Sequence, residues 1–282
     1  MSRTWPTGLI EIAGGVFAYV QEGGGLCVSN AGLIVCAESC IVIDALFAPS
    51  ITRAFRHEIR RVTDKPVRML INTHHHVDHT LGNALFAEAQ IISHANARRE
   101  QQRVGTSVLE ILRPRIPELV AETDGVELRL PDLTFEGELT LHHEDRTVRL
   151  VHLGPAHTIG DALVLLPEER LLFAGDVAFL YVTPLALEGH VGGWLEVCDK
   201  VDAMEVDTIA PGHGPVAGKA DLREMRGYLQ SVRDQARAAF DAGRSERDAW
   251  RGIELGEYGS WAEPERLPLN VGRLYQEFRG EI

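Results

Sequence analysis

With 282 residues, 45% hydrophobic and 24% charged, the chain has ordinary globular composition and enough length to bury a sizeable core. A formal net charge of -13 repels phosphate backbones and argues against a nucleic-acid partner, and no window is long and apolar enough to span a bilayer. The opening Met1-Ser2-Arg3-Thr4 has an early charge but no continuous apolar run after it, so no secretory leader is read and the expected location is the cytoplasm. Residues 8–44 read as short β-branched strands broken by Gly14-Gly15, Gly23-Gly24-Gly25 and Glu38-Ser39, the pattern of a meander; the glycine run has no P-loop Lys-Ser/Thr behind it. The spacing of Phe55 and Ile59 predicts a helix over Pro49–Val62, followed by a strand at Val67–Ile71, a helix near Leu81–Ala89 and a strand at Ile91–Ser93. Residues 95–120 read as helix interrupted by Pro114 and Pro117, and 126–153 as strand with a turn near His142–Arg146. Two buried-type strands, Asp161–Leu166 and Arg170–Ala174, precede a helix at Gly192–Met204 and a short strand, Thr208–Ala210, that ends in Pro211-Gly212-His213-Gly214.

From about Lys219 the chain is mostly helical. Met225, Tyr228, Leu229 and Val232 share one apolar face, with Trp250, Trp261 and Leu274 available to pack it onto the body. Two strand-then-helix halves, roughly 8–120 and 125–215, predict two sheets face to face with helices outside. Residues 1–218 form the expected main unit and 219–282 a helical extension packed on it, serving as a cap over the pocket or as a homodimer contact. Cys27, Cys36, Cys40 and Cys198 form no Cys-x-x-Cys pair and read as buried free thiols, with a Cys36–Cys40 bridge across the turn as the alternative.

The chemistry is concentrated in Thr73-His74-His75-His76-Val77-Asp78-His79, directly after a strand. Read as His-x-His-x-Asp-His, it offers two ligands to one metal and two to a neighbour, and imidazole with carboxylate suits zinc and other borderline divalent ions. Three more strand-end motifs each carry a donor: His157 in Pro155-Ala156-His157-Thr158-Ile159-Gly160-Asp161, Asp176 in Ala174-Gly175-Asp176, and His213 in Pro211-Gly212-His213-Gly214.

In this order the four motifs resemble the metallo-β-lactamase superfamily, over about residues 8–215. The resemblance implies a four-layer αβ/βα sandwich with metals at one edge. It makes His74, His76 and His157 ligands of a first ion, Asp78, His79 and His213 ligands of a second, and Asp176 the bridge. Asp161 would hold a ligand imidazole in its tautomer, and Asp44, closing an apolar strand, would support the site in a similar way. Two zinc ions are expected, with iron or manganese as alternatives. Asp176, where zinc β-lactamases of the superfamily carry Cys or Ser, places the chain nearer the glyoxalase II-like and lactonase-like hydrolases than the antibiotic lactamases. The implied activity is attack by a metal-bridging hydroxide, oriented by Asp78, on an ester, thioester, lactone or lactam carbonyl of a small acyl-type substrate. The other reading is an iron-dependent oxidoreductase of the persulfide dioxygenase kind. His75 is divided between ordinary packing and a place behind the ligands or facing substrate; Phe179 and Tyr181 are divided between packing and facing substrate, Tyr181 as a donor to an oxyanion, and His190 is a further candidate for the pocket wall.

Overall fold

The structure, a computed structural model, describes residues 4–23 and 25–282. Gly24, in the middle of the glycine run, and Met1–Arg3, on which the leader reading rests in part, lie outside the described residues. Two sheets account for the strands among them. The first has the order β1 (Gly8–Ala13), β2 (Val16–Val20), β3 (Ala31–Val35), β4 (Cys40–Ile43), β5 (Val67–Ile71), β6 (Gln90–His94) and β7 (Leu133–Phe135). It is an antiparallel meander as far as β4 and parallel from β4 to β7. In the second, β8 (Glu138–His143), β9 (Arg146–Val151), β10 (Leu163–Leu166) and β11 (Leu171–Phe179) run antiparallel, and β12 (Thr208–His213) lies parallel to β11.

Two-residue alternation builds the layers. Ile34, Ile41, Ile43 and Ile71 of the first sheet meet Val148, Leu150, Val164 and Leu166 of the second in one buried cluster. Their sequence neighbours face outward: Leu33, Val42 and Leu70 pack against Phe55 and Ile59 of helix α1 (Pro49–Val62). Leu163, Leu165 and Leu172 pack on the other side, in one cluster with Trp194, Leu195, Met225 and Leu229. These strands are buried on both faces, hence their nearly continuous apolar runs. The result is the expected four-layer αβ/βα sandwich.

Between β5 and β7 the chain forms α2 (Val77–Thr80), α3 (Ala95–Val104), α4 (Val108–Leu112) and α5 (Pro117–Ala121), and α6 (Val191–Ala203) follows β11. The helix predicted over Leu81–Ala89 is instead α2 and a 3-10 turn, Leu81–Leu85. The C-terminal part forms α7 (Lys219–Asp241), α8 (Glu246–Gly252) and α9 (Leu267–Arg279), and Met225, Tyr228, Leu229, Val232, Trp261 and Leu274 are buried in the same cluster as Trp194 and Leu195 of α6. All four cysteines are buried free thiols; Cys36 packs between the sheets and Cys40 against the α1 side, so they do not form a bridge. None of the helices of the described residues is long and apolar enough to cross a membrane.

Candidate metal centre

The parallel strands β4, β5 and β6 end together, and the chain leaving β5 enters the histidine run at once. An amide pair, Asn72 with Asn83 at 3.0 and 2.9 Å, ties down the start of that run. The His76 carbonyl accepts from the His79 backbone N–H and the Thr80 hydroxyl, each at 3.0 Å, which turns the chain into α2 and folds Asp78 and His79 back beside His74. Asp176 sits inside β11, not in a turn after it. The strand continues to Phe179, with a register shift at Gly175, whose φ of +50° bends the strand and aims the carboxylate at the histidines. A Cβ on Gly212 would lie 1.9 Å from Asp176 Oδ1, so only glycine lets β12 pass this close.

The seven predicted donors converge as two groups: His74, His76, His157 and Asp176, and Asp78, His79 and His213. His76 Nδ1 is 2.9 Å from His157 Nε2. Asp78 Oδ2 is 3.6 Å from the Nε2 atoms of both His79 and His213. Asp176 faces both groups: Oδ2 is 3.3 Å from His157 Nε2 and 3.2 Å from His213 Nε2, while Oδ1 is 3.1 Å from His79 Nε2. Two ligands on a tetrahedral ion with bonds of ~2.0–2.1 Å lie ~3.3 Å apart, close to these separations. His74 Nε2, His79 Nε2 and Asp176 Oδ1 are buried with no hydrogen-bond partner, an expensive arrangement for polar atoms unless a cation completes it. The donor set therefore suits divalent metal.

The outward nitrogens are held as well. Asp44 accepts from the Thr73 backbone N–H at 2.8 Å and the Thr73 hydroxyl at 2.7 Å, and its Oδ2 lies 2.9 Å from His79 Nδ1. The Thr73 hydroxyl is also 3.1 Å from His74 Nδ1, so Asp44 reaches one histidine of each group. His213 Nδ1 lies 2.8 Å from the Val28 carbonyl, and Asn30 donates to the Pro211 and Gly214 carbonyls at 3.0 and 2.8 Å, clamping the turn that presents His213. Glu188, which sequence reasoning passed over, has Oε2 2.8 Å from His75 Nε2 and 3.5 Å from His76 Nε2.

Protonation follows the same geometry. Burial holds His74 and His157 well below the ordinary imidazole range, against the pull of Asp176, and so keeps them neutral as metal ligation requires. Burial also presses on His79, but Asp176, Asp78 and Asp44 outweigh it and hold that imidazole well above its ordinary range. Asp176 stays ionised: burial opposes its charge, and His213, His79, His74 and His157 overcome it.

A cavity of about 160 Å³ opens onto the cluster. Asp78, His213 and Glu188 form its polar end, and Leu26, Val108, Leu112, Leu128 and Leu185 its apolar walls. His75 and Phe179 border it, Phe179 stacked on His213 with ring centroids 4.6 Å apart. Tyr181 does not face it: its hydroxyl donates to Asp221 at the start of α7. His190 caps α6 instead of lining the pocket, its Nδ1 accepting from the Gly193 N–H at 2.9 Å. Asp161 touches no imidazole with its carboxylate, which accepts from the Thr158 N–H and, at 2.6 Å, the Thr158 hydroxyl, bracing the loop that carries His157. Cys36, His143 and Glu144 form a separate group at the opposite turns, but Glu144 is already occupied by Ser39 and the Glu38 and Ser39 N–H groups, a staple between the two sheets.

A family model described as the metallo-beta-lactamase superfamily matches residues 24–213. The alpha subunit of a 2,4-dinitroanisole O-demethylase from Nocardioides sp. (strain JS1661) is 27% identical over 211 residues, 73% of this chain and 57% of that protein. A linear primary-alkylsulfatase from Pseudomonas sp. (strain ATCC 19151) is 23% identical over 236 residues, 72% of this chain and 44% of the relative. The chain thus spans about half the length of the curated relatives it matches. Among solved structures, a stereoselective inverting sec-alkylsulfatase from Pseudomonas sp. superposes with a TM-score of 0.73 at 15% identity, over 98% of this chain and 51% of that one. A metallo-beta-lactamase from Pontibacter korlensis gives 0.65 at 16% identity, over 81% of this chain and 99% of the other. Those likenesses are of fold; the family match covers two thirds of the sequence and runs from the glycine loop to the last of the converging donors, and the chain belongs to the metallo-beta-lactamase superfamily.

Proposed function

We propose that this protein is a two-metal hydrolase of a small, largely apolar substrate with an ester, thioester, lactone or lactam carbonyl. The observation that carries the reading is Asp176, buried between two donor groups, within 3.3 Å of His157 in one and of His79 and His213 in the other, and bordering a largely apolar cavity. His74, His76 and His157 would hold one ion, Asp78, His79 and His213 the other, and Asp176 both. Metal held by these residues would supply water with its pKa lowered from ~15.7 toward ~7 and would polarise the oxygen of the bond to be broken. Zinc is the ion we propose.

The rest is done by the chain. Asp78 borders the cavity, with side-chain exposure of 15%, and its carboxylate is set to accept a hydrogen bond from the attacking water and fix its direction. The leucine and valine walls exclude bulk water from the acyl side and strengthen every charge interaction within. A cavity of this volume is about that of the engineered ~150 Å³ void that takes up benzene, so the apolar part of the substrate is of the order of one ring or a short alkyl chain. We propose further that residues 219–282 belong to the same folding unit, because their helices share its buried cluster.

A second reading, sulfate-ester hydrolysis, is favoured by Arg266, a buried guanidinium in the cavity wall, and by the alkylsulfatases among the relatives. Turnover of matched aryl carboxylate esters, lactones and aryl sulfates by zinc-loaded protein separates the two. Faster carbonyl hydrolysis, abolished by chelation and restored by zinc, supports the first reading; faster sulfate hydrolysis that falls in Arg266→Ala while carboxylate-ester turnover is kept supports the second. Iron in the purified protein together with oxygen uptake would overturn both in favour of an oxidoreductase.

A further inference from the structure

The segment from Thr183 to Gly192 has no regular structure until α6 begins, yet its backbone is gripped along its length by one face of the C-terminal helix. Arg266, Asn270, Arg273 and Glu277 recur at spacings of four and three and so lie on one stripe at the head of α9 and along it. Arg266 donates to the Thr183 carbonyl at 2.8 Å. Asn270 donates to the Pro184 carbonyl and accepts from the Ala186 N–H, both at 2.8 Å. Arg273 donates to the Glu188 and Gly189 carbonyls, both at 2.6 Å, and Glu277 accepts from the Val191 and Gly192 N–H groups. On its other side the segment is tied to the turn that carries His157, through the His190 N–H on the Ala156 carbonyl at 2.9 Å.

Glu188 is thereby set at a fixed place beside His75 and His76. Its carboxylate meets the Nε2 side of His76, while Nδ1 of the same ring faces His157 Nε2 inside the donor group. A carboxylate 3.5 Å from Nε2 favours, through its charge, the tautomer that carries the proton on Nε2 and leaves Nδ1 as the lone-pair nitrogen. We infer that Glu188 is a positioning residue of the metal centre, which fixes the ring and tautomer of His76, and that the stripe on α9 holds it there. The inference rests on the two-metal reading of the site. Glu188 touches the group containing His76 and not the group formed by Asp78, His79 and His213, so its influence falls on one ion alone.

The test is chelator-competition titration of Zn2+ on full-length wild type, Glu188→Ala, Glu188→Gln and Arg273→Ala, with the melting temperature of each metal-free protein alongside. Loss of such a supporting partner weakens metal binding roughly 10- to 100-fold. In Glu188→Ala that loss is expected for one of the two ions, with the other constant and the metal-free melting temperature unchanged. Glu188→Gln, which keeps an acceptor oxygen without the charge, falls between, and Arg273→Ala weakens the same ion with Glu188 intact. Wild-type constants for both ions in Glu188→Ala overturn the inference. Equal loss of both ions together with a lower metal-free melting temperature also overturns it, as a role in folding only. A wild-type protein that holds fewer than two ions refutes the two-metal reading itself, and the inference falls with it.

Discussion

Asp44→Asn is the sharpest probe of how the donors are prepared. Asp44 is buried, and its backbone has φ +59°, a left-handed conformation that Asn tolerates as readily as Asp, so the swap adds neither volume nor strain. Three donors meet its two oxygens: the Thr73 N–H on Oδ1, and the Thr73 hydroxyl and His79 Nδ1 on Oδ2. With Asn, the oxygen best serves the Thr73 N–H, and the new NH2 then faces the Thr73 hydroxyl and His79 Nδ1. His79 Nδ1 must become an acceptor, which moves its proton to Nε2, the nitrogen directed at Asp176 and Asp78. The Thr73 hydroxyl, now receiving a hydrogen bond, turns its own proton to His74 Nδ1 and shifts that ring the same way. Restoring either metal-competent tautomer leaves two donors face to face, about 1–3 kcal/mol for a buried unmade hydrogen bond. At about 1.4 kcal/mol per tenfold, that is roughly a 5- to 140-fold loss of affinity for each ion. Chelator competition in Asp44→Asn should therefore show both ions weakened, whereas Thr73→Val, which cuts only the path to His74, should weaken one. Unchanged constants for both ions in Asp44→Asn, with only a lower metal-free melting temperature, would refute this reasoning.

Asp176→Ala removes the carboxylate common to both groups, so metal content measured after exhaustive dialysis should drop at both sites and turnover should vanish; full occupancy would remove Asp176 from the shared position. Gly212→Ala puts a methyl where Asp176 Oδ1 stands, and tightly bound metal should be lost while circular dichroism still reports a folded chain; metal content equal to wild type counts against so close an approach of β12 to the carboxylate. Burial, with the stacked His152 and Arg99, holds His94 down to about 4, and its neutral Nδ1 caps α3 by accepting from the Asn96 N–H. Between about pH 6.5 and about pH 4 the unfolded chain takes up a proton there that the folded one refuses, so stability falls as pH is lowered through that window. His94→Asn caps without titrating, and urea denaturation of metal-free protein should show a shallower acid loss; an identical slope argues against His94 as a source of it.

Much of the site is legible in the sequence because the residues that carry it are local. His74, His76, Asp78 and His79 share one loop after an unmistakable strand, and His157, Asp176 and His213 each sit in a short glycine-bearing motif. The layers are legible for the same reason, since period-two alternation states which face of a strand is buried. What stays hidden depends on contacts across long sequence separations. Glu188 belongs to no motif, and its place is fixed by Arg273, 85 residues further on. Asp161 and Tyr181 have the right chemistry and sit near the right motifs, but their partners, Thr158 and Asp221, are decided by how the loop and α7 pack. The helical pattern over Leu81–Ala89 gives way because Asn83 spends its amide on Asn72 and the Arg129 carbonyl, and a 3-10 turn satisfies that geometry where a regular helix would not.

The grip of α9 on the pocket wall has a consequence for how specificity can change. Arg266, Asn270, Arg273 and Glu277 bind carbonyls and N–H groups, which every amino acid other than proline supplies alike. The scaffold is therefore blind to the side chains it carries, and Leu185 and Leu187, which look into the cavity, can be exchanged without loosening it. A library randomised at those two positions should sample new substrates on an unaltered metal centre, while the same diversity at Asn270 or Arg273 should collapse the wall for every substrate at once.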